Sequence, residues 1–233
     1  MSKRQQTPLK VGFVICPGVA IMDLLGAHAV FGMTPDTEIH ILWKDTALIE
    51  AAPRFPIAAT TTFEQCPQLD ILVVGAVPGE LNRDEEMLNF ISEQSTQASS
   101  IIGICGGVLL LGAVGLLEGR KATTNFHLLD ALRLFGAESV PGGRVVQDGI
   151  ILTAGPATGG FEAALKALAE LRGDEQARLI ELTIEYHPQP VFNVGTPELA
   201  GKVLFEQSVS IYNDHFKQCT DAAISFYHKI KTH

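Results

Sequence analysis

Short apolar, β-branched runs alternate with helix-length segments along the chain. The runs predict strands at Lys10–Cys16, Glu38–Trp43, Ile71–Val74, Ile101–Ile104 and Ile150–Ala154. Helices are predicted at Ile21–Met33, Glu85–Ser95, Val108–Leu117, Phe126–Phe135, Gly160–Leu171 and Glu175–Glu185, with a long one from about Glu198 to Lys231. This alternation is that of an α/β protein with a mostly parallel sheet flanked by helices. Gln147-Asp148-Gly149 reads as a hairpin turn between Arg144–Val146 and Ile150–Thr153, because Asp-Gly supplies the positive φ such turns need. That hairpin adds an antiparallel strand to the sheet. The last helix carries apolar residues at Leu199, Val203, Val209, Tyr212, Phe216, Ala223 and Phe226, a face to bury against its own domain or a second subunit. No repeat or composition shift marks a boundary, so residues 1–8 are expected to be a flexible N-terminus and 9–233 one domain. Pro188 to Pro197 is the one linker-like stretch.

Ile101 to Leu117 is free of charge but marginal against the roughly 20 residues a membrane span needs. Gly103, Gly106, Gly107, Gly112 and Gly115 interrupt it, which points to a buried segment and no membrane partner. At 233 residues, with 46% hydrophobic composition, the chain is long enough for a full core. A formal net charge of −9 and a pI near 5.2 argue against nucleic acid, which needs basic patches to neutralise phosphates. The four cysteines, Cys16, Cys66, Cys105 and Cys219, are scattered, and the first residues lead into no secretory h-region. Free thiols in a reducing cytoplasm fit this better than a disulfide framework.

Cys105 stands where an apolar strand-like run, Ser100 to Ile104, meets Gly106-Gly107 and a helix-like run. A sharp strand-to-helix turn of this kind is an elbow that exposes a nucleophile at the edge of an α/β sheet. The helix N-terminus behind it is expected to lower the thiol pKa. A buried core cysteine is the other reading of the same residue. Ligands in open α/β sheets bind beyond the carboxyl ends of strands, so Asp23 after the first strand, Gly75 and Ala76 after the third, Asn125, and Gly155-Pro156-Ala157-Thr158 are the companions to consider. A carboxyl such as Asp23, held among apolar residues, has its pKa raised and can donate a proton near neutrality. It can equally serve as a helix N-terminal carboxylate. His127 is the histidine nearest to Cys105 in sequence, and its position early in a helix suggests a surface or interface residue. No zinc spacing, phosphate loop or dinucleotide fingerprint is present, so neither metal nor cofactor is expected.

Taken in order, Asp23-Leu24-Leu25-Gly26, Ile41-Leu42-Trp43-Lys44, Ala59 to Phe63, Cys66 to Asp70, the Cys105 elbow, Gly112 to Leu117, Ala122-Thr123-Thr124, Val145 to Gly149 and Glu185-Tyr186 with Phe192-Asn193 resemble the isocyanide hydratases of the ThiJ/PfpI superfamily. The resemblance runs from about Lys10 to Pro197. It implies a flavodoxin-like sandwich, a homodimer and a small-molecule substrate, with Cys105 as nucleophile and Asp23 as general acid/base. It further implies that the thiolate attacks the terminal carbon of R–N≡C, that a thioimidate forms, and that water releases an N-formamide. Gly75, Ala76, Gly106, Ala157, Thr158 and Asn125 would form the oxyanion and substrate pocket. This chain departs from those enzymes where Gly106 replaces a threonine, where Gly75-Ala76-Val77 replaces a Pro-Gly-Gly turn, and where Asn125 replaces a histidine found in many relatives. The departures leave a second reading open, a relative that binds a small molecule or senses oxidation at Cys105. Glyoxalase-type chemistry would need a glutamate and a histidine that are not at the matching positions.

Overall fold

A computed structural model describes residues 7–142 and 145–232. The chain enters through β1 (Leu9–Val14), α1 (Ile21–Gly32) and β2 (Thr37–Trp43). A hairpin of β3 (Leu48–Ala51) and β4 (Phe55–Ala58) and the short β5 (Thr61–Thr62) follow. Next come β6 (Ile71–Val74), α2 (Glu85–Ser95), β7 (Ser100–Ile104), α3 (Gly107–Ala113), β8 (Lys121–Ala122) and β9 (Glu138–Ser139). The chain closes with β10 (Val146–Asp148), β11 (Ile151–Ala154), α4 (Thr158–Arg172), α5 (Asp174–Thr183) and α6 (Pro197–Lys231).

The main sheet has seven strands in the order β10-β11-β7-β6-β1-β2-β5. All its pairs are parallel except β10 with β11. Every residue of β6, β7 and β11 is buried, as strands covered on both faces must be, which explains their unbroken apolar runs. Helix α1 packs on α4 and α4 on α5, while α3 packs against α2 and α6. The result is the mostly parallel sheet flanked by helices that the alternating pattern predicts, and it has the flavodoxin-like form that the resemblance implies. In the order above, β1 lies between β2, which follows it in the chain, and β6, so the carboxyl ends of β1, β6 and β7 meet at the position where such folds place their ligands.

Several elements differ from their sequence expectation, each for a local reason. The helix predicted to reach Leu117 stops at Ala113, because Gly115 at φ +80° lets the Leu116 N–H reach the Leu111 carbonyl at 3.0 Å and the Gly115 N–H reach that of Gly112 at 2.9 Å. No α-helix spans 126–135. The Asn125 side chain accepts the His127 N–H at 3.0 Å, holding the chain in turns, and a 3-10 helix covers Asp130–Phe135. The hairpin turn sits at Gly149-Ile150, with Gly149 at φ +62°, while Arg144, placed in its first strand from the sequence, lies outside the described residues. So do residues 1–6 of the expected flexible N-terminus; Thr7 and Pro8 are exposed. The long last helix is present but interrupted at Gly201, whose φ of 72° and ψ of 169° are not helical. Among the described residues no helix is long and apolar enough to cross a membrane.

Candidate active site

Cys105 follows β7 directly and takes φ +54°, a left-handed conformation that a side chain adopts only when its surroundings enforce it. The enforcement is visible on both sides. Its N–H continues the β7–β11 ladder to the Ala154 carbonyl at 3.0 Å, and its carbonyl accepts the Thr124 hydroxyl at 2.5 Å. Gly107 completes the elbow: a Cβ there would run into the Val74 carbonyl oxygen, so only glycine lets the first turn of α3 lie against the end of β6.

Asp23 reaches the same place from the first turn of α1 and is 1% exposed. Small residues make this approach possible, since a Cβ on Gly160 would lie 2.8 Å from the Asp23 carbonyl and one on Gly26 would lie 2.8 Å from the Phe161 nitrogen. The Asp23 carboxylate accepts the Ala76 N–H at 3.1 Å through Oδ2 and the Ala157 N–H at 3.4 Å through Oδ1. It also forms a side-chain hydrogen bond with Cys105. Ala157 attains this position at φ +54°. Asn125, 5% exposed, donates its Nδ2–H to Cys105 Sγ at 3.3 Å.

Burial pushes the Asp23 carboxyl up to about 6, against the three hydrogen bonds that favour its ionised form. Burial first, and the neighbouring Asp23 carboxylate second, push the Cys105 thiol up to about 12, opposed by the Asn125 side chain and the Gly106 N–H. This corrects the expectation of a lowered thiol pKa. A helix N-terminus favours the thiolate by at most about 2 kcal/mol in a partly buried site, which is smaller than the penalty for charging a largely desolvated sulfur beside an existing negative charge. Of the two groups the carboxyl is the one that ionises first, and the proton of the pair then stays on sulfur.

The pocket opening on Cys105 has a volume of about 320 Å³ and is lined by Thr124, Asn125, Gly155 and Pro156 near the thiol. The lining continues with Phe126, His127, Leu129 and Pro141, and with Thr196, Glu198, Tyr212 and Phe216 of the last helix and its entry. Of the residues expected in the pocket, Asn125 lies against the sulfur. Gly75 is buried beneath Asp23, where its missing side chain leaves room for the aspartate Cβ. The Ala76 and Ala157 N–H groups are engaged by the carboxylate, so the backbone donors left at the sulfur are those of Gly106. Thr158 is exposed at the start of α4 and does not line the pocket; its carbonyl accepts the Tyr186 hydroxyl at 3.4 Å. His127, read from the sequence as a surface or interface residue, lines the pocket instead. Among the described residues no cluster of three or more His, Cys, Asp or Glu side chains is placed to hold a metal.

Residues 9–170 match the model of the DJ-1/PfpI family. The chain belongs to that family. This DJ-1/PfpI protein is 40% identical over 202 residues to the isonitrile hydratase of Pseudomonas putida, an alignment covering 86% of this chain and 88% of that protein. Its fold superposes on the crystal structure of a ThiJ/PfpI family protein from Pseudomonas syringae with a TM-score of 0.88 at 30% identity, over 94% of this chain and 91% of that one. Drosophila melanogaster DJ-1beta shares the fold at a TM-score of 0.71 and 17% identity, over 78% of this chain and all of its own.

Proposed function

We propose that the protein is a cysteine-dependent hydro-lyase that hydrates isocyanides to N-formamides, with Cys105 as nucleophile and Asp23 as proton carrier. The observation that carries this reading is the Cys105 thiol, half-buried at an apolar pocket, hydrogen-bonded to the buried Asp23 carboxyl and to Asn125 Nδ2. Addition to R–N≡C needs that arrangement, because the terminal carbon must receive both a proton and a nucleophile. In the proposed sequence Asp23 takes the S–H proton and delivers it to the carbon as the sulfur–carbon bond forms, giving the thioimidate Cys–S–CH=N–R. A water molecule then adds to that carbon, one of its protons passes through Asp23 to the nitrogen, and the carbon–sulfur bond breaks. The sulfur regains a proton and R–NH–CHO leaves, so that the net change is addition of one water. Asn125 Nδ2–H and the Gly106 N–H are the donors for the charge that develops on sulfur. The similarity to an isonitrile hydratase over most of both chains supports the substrate class.

The oxidation-sensing alternative draws less support. Oxidation follows thiolate character and exposure, and burial holds this sulfur in its thiol form. The same reading takes the enzyme as a cytoplasmic homodimer. Four free cysteines and the exposed apolar residues Val203, Leu204 and Ile211 on α6 support it.

The test is formamide appearance on incubation with phenyl isocyanide. Wild type is expected to turn over and Cys105→Ala to show no rate above that in buffer. A wild type no faster than buffer would remove the hydratase reading.

A further inference from the structure

One wall of the Cys105 pocket is built from rings. Phe126 and His127 have centroids 4.0 Å apart, His127 stacks on Phe216 at 4.7 Å, and Tyr212 meets His127 edge-on at 6.0 Å. Phe205 backs Phe126 at 5.7 Å. Tyr212, Phe216 and Phe205 belong to α6, well beyond residue 170 where the family match ends. Burial lowers the His127 pKa, which favours its neutral imidazole. Ser208 Oγ lies 3.4 Å from its Nε2. Leu129, Pro141 and Pro156 continue the lining without charge. Glu198 is the acidic residue facing the pocket, and its pKa is lowered by its hydrogen bonds at the start of α6.

We propose that this wall, completed by α6, selects the electrophile by its substituent, and that the substituent is an uncharged aryl ring packed against Phe216 and Tyr212 while the reactive carbon meets Cys105 Sγ. The inference rests on Cys105 being the nucleophile but not on the electrophile being an isocyanide. An apolar cavity of about 150 Å³ accommodates benzene, so about 320 Å³ holds one ring, its reactive group and a hydrolytic water. Offset or edge-on ring contacts add to simple burial, which favours an aryl group over an alkyl group of equal size. An ionised Glu198 disfavours a carboxylate on the ring.

The test reads the pocket without requiring turnover. Cys105 alkylation is followed by peptide mass spectrometry with iodoacetanilide, N-cyclohexyl iodoacetamide and iodoacetamide, each rate normalised to the same reagent on free cysteine. The thiol pKa is common to all three and cancels in the ratios. The anilide is expected to exceed iodoacetamide by about tenfold and to exceed the cyclohexyl reagent. Most of that preference should disappear in Phe216→Ala and in Tyr212→Ala. Tyr212 is 50% exposed, so its removal leaves the core intact. A normalised ratio near one, an equal rate for the cyclohexyl reagent, or a preference unchanged by Tyr212→Ala would overturn the proposal. A preserved anilide preference in a protein that hydrates neither phenyl nor methyl isocyanide would support the wall and sink the hydratase chemistry. Equal hydration of both isocyanides with no anilide preference would do the reverse.

Discussion

A Cβ placed on Gly106 would lie 2.9 Å from the Cβ of Ala76. The two positions compete for one volume beside the thiol, and in this chain Ala76 fills it. Gly106 has φ −64° and ψ −15°, a conformation open to any residue, so the constraint is steric alone. Gly106→Thr should therefore destabilise the fold by about 1–3 kcal/mol. Ala76→Gly in the same chain should restore much of that loss, giving a favourable coupling in a double-mutant cycle by chemical denaturation. Additive effects would show that the two sites do not compete.

Asp23 links stability to pH with a definite sign. Its folded pKa of about 6 lies above the ordinary 3.8, so the folded protein binds this proton more tightly than the unfolded chain. The corresponding stability is complete below the unfolded value and is lost as pH rises to about 6. The loss amounts to about 3 kcal/mol. Asp23→Asn removes this dependence, so its stability relative to wild type should rise by about that amount between pH 4 and pH 7 and stay level above. Parallel stability curves for the two proteins would contradict the raised pKa.

The same substitution separates charge from burial at the thiol. Wild-type Cys105 alkylation should have its midpoint far above the ordinary value near 8.5. In Asp23→Asn the midpoint should fall, because the carboxylate no longer opposes the thiolate, yet stay above the ordinary value because burial remains. Turnover should drop by about a hundredfold or more even as the thiolate becomes easier to form, as expected on removing a general acid–base group. An Asp23→Asn enzyme of unchanged rate would return Asp23 to a purely structural carboxylate at the start of α1.

Gly107→Ala tests the elbow itself. The added methyl meets the Val74 carbonyl, and neither backbone can yield without moving β6 or α3. A loss of about 3 kcal/mol or more is expected in denaturant unfolding, against about 1–2 kcal/mol for Gly119→Ala, where only the positive φ resists and no atom lies near.

These sites differ in how far the sequence disclosed them. The apolar runs at Ile71–Val74 and Ser100–Ile104 declared buried parallel strands, and the Ile104-Cys105-Gly106-Gly107 junction declared an elbow, because period and glycine placement are local signals. The hairpin of Leu48–Ala51 and Phe55–Ala58 carries no clear strand signal, because Pro53 and Pro56 fall within it and proline cannot donate to a ladder. The helix-like pattern after Asn125 misled because one side-chain hydrogen bond to the His127 N–H diverts the backbone. The thiol pKa was misjudged in direction because local sequence shows the helix start but not the burial of sulfur beside Asp23, which depends on α1 packing against α4. Tyr212 and Phe216 read only as an apolar face of the last helix. That they complete a pocket around Cys105 depends on where α6 returns across the fold, a long-range fact that no local pattern carries.

In the proposed mechanism Cys105 adds covalently to the carbon of the electrophile with Asp23 carrying the proton. Intact-protein and peptide mass spectrometry after rapid acid quench of a phenyl isocyanide reaction tests it most directly. An adduct of one isocyanide is expected on the peptide containing Cys105 in wild type, decaying as N-phenylformamide appears, with no adduct in Cys105→Ala. Formamide production by Cys105→Ala at the wild-type rate, or turnover by wild type with the adduct on another residue, would contradict it.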